Sequence, residues 1–344
     1  MKRFIIFTTL AILIGISFSS CDSCSRKKEK KFAVKADKIK EIRAKINTTI
    51  YRYEKDLFTL NPKDFGNELA RIQPKYPFFL NGNVQDPRNQ QQLYGFINDP
   101  VTQEIYKETI KTYPNLDDIK LKFDESFSYY NYYYPNRPIP KVYTYVSSLD
   151  FEMPIKYADT ILIIALDMYL GKDCKFYKQS GTPLYKSARY SREYIIADCF
   201  KEMAYSHMKF DNSRVSLLDE MIIEGKRLYF TESMLPNEHD TTLIGYPLNK
   251  LKWAQQNEAN MWGYIIDKEL LYTPDTKIIM KFINDAPFTT FFANDSPGRV
   301  GAWIGWQIVR SYMNNNKNST LEQLMNEPNG QKILNLSKYK PAKK

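Results

Sequence analysis

Six consecutive apolar residues, Ile161, Leu162, Ile163, Ile164, Ala165 and Leu166, leave no side of that segment for water. Side chains alternate between the two faces of a strand, so such a run needs cover on both faces and belongs in the interior of a layered fold. Upstream, Val142, Tyr143, Tyr145 and Val146, then Ile155 and Tyr157, carry strand character, so Pro140 to Leu170 reads as two or three strands. After Gly171 the apolar spacing becomes helical, over about 191 to 208, 214 to 234, 247 to 271, 275 to 283, 297 to 314 and 319 to 326. Strands followed by a helical array make the class α+β, helix-dominated with a small sheet. With 344 residues, 43% hydrophobic and 26% charged, the chain has a globular composition and the length for a sizeable core.

Ahead of the sheet, Ile39, Ile42, Ile46 and Ile50 lie at three- and four-residue spacing and predict an amphipathic first helix, giving way to an extended piece near Ile50, Tyr51 and Tyr53. Prolines at 62, 74, 77 and 87 make residues 61–89 read as irregular structure with short helical turns. Pro100 to Tyr113 and Asp117 to Tyr134 read as helices. Tyr129, Tyr130, Tyr132, Tyr133 and Tyr134 are too close together to share one helical face, so some pack inward while others stay near solvent. Dense aromatic packing is the plain reading, with a carbohydrate-stacking surface as its rival.

The N-terminus sets the compartment. Lys2 and Arg3 precede an apolar run from Phe4 to Ile16, then Ser17, Phe18, Ser19, Ser20 and Cys21, which is the plan of an export signal. The apolar stretch is short for a membrane span. A cysteine directly after small residues is the bacterial lipoprotein pattern, so Cys21 is the expected lipidated first residue of the mature chain. The expected organisation is a signal peptide over 1–20, a basic tether over 21–36, and a single α+β domain over 37–344. The formal charge of +10 includes the Arg26, Lys27, Lys28, Lys30 and Lys31 stretch, which suits either an anionic membrane surface or a solvated tether. An exported lipoprotein does not meet nucleic acid, so no nucleic-acid partner is expected. The location expected is the cell envelope, lipid-anchored and facing the periplasm.

Two histidines, His207 and His239, are all the imidazole available, which removes many zinc and general-base enzyme classes. His239 reads as loop surface, and His207 lies at a helix end where dipole compensation accounts for it. Neither histidine has a second one nearby, and spacing alone does not exclude a Cys174, Cys199, His207 and His239 zinc site; the two cysteines can instead pair, leaving Cys24 on the tether. Leu217, Met221, Glu224 and Leu228 are separated by four, three and four residues, so Glu224 sits on the apolar stripe of its helix and should face inward. An unpartnered buried carboxylate costs several kcal/mol, so a cation, metal or hydrogen-bond donor should lie opposite. Ser296 as cap and Pro297 at the first helical position are expected to open a later helix in which Gly301, Ala302 and Gly305 permit close approach beside Trp303 and Trp306. Arg299 is the expected partner of Glu224. No GxSxG elbow, phosphate loop or GxGxxG fingerprint is present.

These segments together carry a resemblance. The lipoprotein signal, Tyr143-Thr144-Tyr145-Val146-Ser147, Leu166-Asp167-Met168-Tyr169-Leu170-Gly171, Met221 through Phe230, Pro297-Gly298-Arg299-Val300-Gly301 with Trp303-Ile304-Gly305-Trp306, and Ser337 through Pro341 resemble the GldB family of gliding motility lipoproteins of Bacteroidetes, over essentially the whole mature chain. The resemblance implies an envelope lipoprotein needed for surface gliding and linked with the type IX secretion and motility apparatus. The same segments distantly resemble zincin-like peptidases, in which HExxH lies on one helix and a later Glu-Gly helix supplies the third ligand. Glu224-Gly225 stands at that third-ligand position, whereas Ile195 through Glu202, where the motif would fall, has no histidine. The expectation is a degenerate zincin-like architecture, non-catalytic, with no metal and no cofactor, whose cleft is marked by Asp198, Glu202, Glu224 and Arg299. Its expected partners are the membrane and gliding or secretion proteins. The alternative is a divergent peptidase or glycan hydrolase using Glu224 with other carboxylates such as Asp198 or Glu202.

Overall fold

The structure, a computed structural model, describes residues 34, 36–211, 213 and 215–341. The signal, Cys21, Cys24 and the basic stretch of the tether lie outside the described residues. α1 (Ala36–Arg43) packs on a helix from later in the chain and ends earlier than its apolar stripe predicts. Asp124 accepts the Thr48 amide at 2.6 Å and pairs with Arg43 and Lys120, at 3.4 and 2.9 Å. That anchor draws the backbone out of helix, and Ile50 begins β1 (Ile50–Arg52). α2 (Tyr53–Phe58) follows directly.

α3 (Phe65–Ile72) occupies the stretch expected to be irregular. Phe65, Leu69 and Ile72, four and three apart, bury one face, and the prolines fall outside the helix, where they break nothing. α4 (Pro87–Asn98) and α5 (Pro100–Thr112) each start with an aspartate cap and a proline: Asp86 accepts the Arg88 amide and Asp99 that of Thr102. α6 (Asp117–Tyr133), which carries Asp124, is the helix against which α1 packs.

β2 (Lys141–Tyr145), β3 (Ile155–Ala158) and β4 (Ile161–Ala165) complete a four-stranded sheet of order β1-β2-β4-β3. β1, β2 and β4 are parallel, with Ile50 opposite Val142 and Tyr143 opposite Ile163; β3 runs antiparallel on the edge, with Ile155 opposite Ile164. β4 is thus an interior strand. Leu162 and Ile164 are fully buried, and Ile161 and Ile163 pack against a cluster of Leu69, Ile72, Tyr76 and Tyr143, so the apolar run has cover on both faces.

The remainder is helical: α7 (Lys175–Gln179), α8 (Leu184–Ser187), α9 (Ile195–Tyr205), α10 (Leu217–Met234), α11 (Asp240–Ile244), α12 (Leu248–Gln256), α13 (Glu258–Asp267), α14 (Thr276–Ile283), α15 (Val300–Asn315), α16 (Leu321–Asn326) and α17 (Gly330–Ser337). The helix expected over 247–271 is two, broken at Asn257. The class is α+β and helix-dominated. α10 and α15 form the central pair, with α9 against α10. A Cβ on Gly305 would overlap the Met221 carbonyl oxygen, and one on Gly225 the Gly305 carbonyl, so the two backbones touch where side chains would normally hold helices apart. Beside this contact Trp303 and Trp306 meet edge to face at 6.0 Å, and the Trp306 indole donates to Glu232 at 2.9 Å.

Tyr130 and Tyr134, four residues apart, enter the core, while Tyr129, Tyr132 and Tyr133 are half-buried. Between the first two sits His207, stacked on Phe230 at 5.1 Å and 4.3 Å from the Tyr134 ring. The dipole account of His207 is therefore corrected: burial, with a smaller push from Arg137, lowers its pKa to about 4, so it is neutral at pH 7 and compensates no dipole. The unfolded imidazole, near 6.5, binds a proton that the folded one refuses until about 4, so stability falls as pH falls through that window. Between pH 7 and pH 5 the loss from this group amounts to about 2 kcal/mol. Urea unfolding at the two pH values should show that loss in the wild type and its absence in His207→Phe; equal pH dependence in both proteins would refute it.

Candidate functional site

The stripe that points Glu224 inward is built as its spacing predicts. Leu217, Met221 and Leu228 are fully buried, and Glu224 is 6% exposed. Its carboxylate is held from both sides. Arg227, one turn along α10, donates through Nη1 to Oε1 at 3.0 Å, and Arg299 donates through Nη2 to Oε2 at 2.9 Å. The Tyr205 hydroxyl of α9 adds a longer bond to Oε1, at 3.3 Å. Burial pushes the Glu224 pKa up, but the charges of Arg227 and Arg299 outweigh it and hold the group below the usual glutamate value.

Arg299 reaches this position from an unusual backbone. It is the residue before α15, left-handed at φ 58° and ψ 34°, a conformation uncommon outside glycine. The expectation that Ser296 and Pro297 open the helix is corrected: α15 begins at Val300 and has no side-chain cap. Ser296 and Pro297 instead close a loop on Thr289, whose amide donates to the Pro297 carbonyl at 3.0 Å and to Ser296 Oγ at 3.2 Å. The Tyr246 hydroxyl donates to the Gly298 carbonyl at 2.7 Å, with the Arg299 carbonyl 3.0 Å away. These bonds pin the strained residue from behind.

The ion network extends in two directions. Arg299 Nε lies 3.6 Å from Asp285, which also pairs with Arg189. On α9, buried Lys201 pairs with Asp198 at 2.9 Å, and the Tyr169 hydroxyl donates to Asp198 at 3.2 Å. Glu202 is half-buried; burial raises its pKa, and Arg227 works against that rise. Of the four residues singled out in the sequence, Glu224 and Arg299 touch, Asp198 is engaged by Lys201 and Tyr169, and Glu202 lies in the field of Arg227. Arg227, Lys201, Asp285 and Arg189 were not foreseen. Arg227 and Lys201 had a local signal, each standing three residues after a singled-out carboxylate, Glu224 and Asp198.

The arrangement limits the chemistry. A general acid must hold a proton near the working pH, and two guanidiniums keep Glu224 ionised. A metal cation bound at Glu224 would have to sit beside two guanidiniums already within 3.0 Å of the carboxylate oxygens, and their charge repels it. α9 brings Asp198 and Glu202 but no histidine, and Lys201 and Arg227 add positive charge beside these carboxylates. Among the described residues no three His, Cys, Asp or Glu side chains gather to hold a metal. Cys174 and Cys199 are both free, which corrects the disulfide option; Cys199 is fully buried in α9 and its thiol pKa is pushed up by that burial. His239 is exposed and caps α11, its Nδ1 accepting the Thr241 amide at 3.2 Å.

On the outer side of Arg299 a cleft of about 110 Å³ opens, lined among others by Tyr185, Arg189, Tyr246, Lys250 and Asp285. A larger depression of about 610 Å³ adjoins it, sharing Ala188 and lined by residues 170–175, Ser191 and Glu193; Glu224 lines neither. No curated protein and no solved structure matches the chain. The family model described as gliding motility protein GldB matches residues 34–341.

Proposed function

The chain belongs to the GldB family of gliding motility proteins, and from that premise we propose that it is a non-catalytic, lipid-anchored envelope protein that supports assembly or function of the gliding and type IX secretion machinery through protein contacts. A role in gliding motility comes with the family. One observation carries the non-catalytic reading: the carboxylate at the position of a zincin third ligand is locked between Arg227 and Arg299, 3.0 and 2.9 Å away. A carboxylate pair working as acid and base needs one member protonated and one free, and Glu224 is neither. The expected result for the purified full-length protein is no stoichiometric zinc and no peptidase turnover. Stoichiometric zinc together with turnover abolished by Glu224→Gln would overturn this reading.

Membrane attachment is assigned to Cys21. No helix among the described residues is long and apolar enough to cross a membrane. Buried acyl chains contribute about 0.8 kcal/mol per methylene, so several chains on one cysteine hold a protein on the bilayer almost permanently, and the basic stretch after it adds attraction to anionic lipid. Cells carrying Cys21→Ser should lose the protein from the membrane fraction and cease gliding. Retention of the variant in salt-washed membranes would rule this anchor out.

A further inference from the structure

We infer that the cleft outside Arg299 is an anchor pocket for an acidic side chain of a protein partner. The inference rests on the reading that this protein works through protein contacts, and names the chemistry of one contact.

Size comes first. Small-molecule sites run to about 300–1,000 Å³. At about 110 Å³ the cleft falls well below that range, too small to enclose a sugar or nucleotide but enough for a carboxylate and its stem. Charge comes second. Arg189, Lys250 and Arg299 line the cleft against one carboxylate, Asp285. Arg299 spends Nη2 on Glu224 behind the wall. The Lys250 ammonium donates to the carbonyls of Asn294 and Ser296, at 3.1 and 2.7 Å; the Asp295 charge acts on it, but no ion pair within 4 Å forms with it among the described residues. The cleft therefore has a surplus of positive charge in a partly desolvated place, where an added carboxylate is bound most strongly.

The walls are fixed in advance. Gly245, left-handed at φ 80°, has the Arg189 side chain lying where its Cβ would be, and Asp285 holds the Arg189 guanidinium. Left-handed Arg299, which also meets Asp285, is a further fixed part of the lining. The rest of the lining includes aromatic and apolar side chains, Tyr185, Tyr194, Pro247 and Pro287. Next in the chain to Tyr185 and Pro247 are Leu184 and Leu248, 76% and 54% exposed. Arginine and tyrosine lining one small cleft is the composition enriched at protein hot spots. A free phosphate would gain nothing from those tyrosines and prolines, which is why the occupant is assigned to a polypeptide.

The test uses the full-length protein in detergent micelles. The Nε–Hε signals of Arg189 and Arg299 are followed while three probes are added: end-blocked glutamate (N-acetyl, N-methylamide), its glutamine counterpart, and inorganic phosphate. Blocked glutamate should shift both signals, with glutamine at least about tenfold weaker, a difference of about 1.4 kcal/mol. Arg189→Gln should weaken glutamate binding, and Asp285→Asn should strengthen it by removing the competing carboxylate. Opposite responses to two substitutions in one cleft do not arise from general misfolding. Equal shifts by glutamate and glutamine, tighter binding of phosphate, or no shift with glutamate would overturn the proposal. Loss of probe binding in a protein without peptidase turnover removes the pocket alone; turnover with probe binding intact removes the non-catalytic reading and leaves the pocket.

Discussion

Adding one methyl group at position 305 is expected to destabilise the fold severely. In Gly305→Ala the new Cβ falls on the Met221 carbonyl oxygen of α10, with Met221 backbone atoms on the same side. Overpacking usually costs about 1–3 kcal/mol because side chains shift to make room. Here the obstacle is main chain in the central helix pair, and relief requires α10 and α15 to separate over a face that includes Trp303 and Ile304, both buried. The cost should exceed about 4 kcal/mol, a large share of the about 5–15 kcal/mol that stabilises an ordinary domain. Gly263→Ala is the internal control: a Cβ there meets nothing within 4 Å, so in α13 it should stabilise by up to about 1 kcal/mol. Urea midpoints of the two variants should move in opposite directions. A Gly305→Ala protein with a wild-type midpoint would show that the helices are not in backbone contact.

Neutralising Glu224 is expected to be nearly as damaging. Glu224→Gln leaves the Arg227 and Arg299 guanidiniums facing each other across a neutral amide, and breaking a buried pair from one side costs about 3–5 kcal/mol. Arg299→Met should cost a similar amount, since it strips a partner from both Glu224 and Asp285. The double variant should lose less than the sum of the singles, because once one partner is gone there is less to remove. The pH dependence follows the sign of the shift. The folded pKa of Glu224 lies below its ordinary 4.5, so its contribution is present above 4.5 and disappears as pH falls through the lower folded value. Glu224→Gln should flatten that acid limb. Unchanged stability at pH 7 in Glu224→Gln would mean that the network does not hold these helices together.

Much of this architecture is readable in one dimension because it is periodic. The six-residue apolar run gives an interior strand because alternation leaves it no polar face, and the 4-3-4 spacing around Glu224 turns that carboxylate inward because helix geometry is local. The prolines at 62, 74, 77 and 87 misled for the same reason. They punctuate the chain, but the Phe65, Leu69 and Ile72 stripe fits entirely between two of them. The start of α15 was misread because Ser296 and Pro297 are sound opening residues whose hydrogen bonds are taken by Thr289, and only the folded loop makes that competition visible.

By itself the sequence determined the helix-dominated α+β class, the inward carboxylate, the shortage of imidazole and a lipoprotein-type N-terminus, all properties of neighbouring residues. Only the tertiary structure decided that Glu224 is answered by Arg227 and Arg299, that His207 is a neutral member of an aromatic box, that Cys199 is a buried free thiol, and that Arg189, Lys250 and Arg299 line one small cleft. Arg299 is 75 residues from Glu224, and Tyr130 is 77 from His207. Periodicity shows which way a side chain points; which group it meets depends on how separate helices pack, and that depends on the fit of whole surfaces.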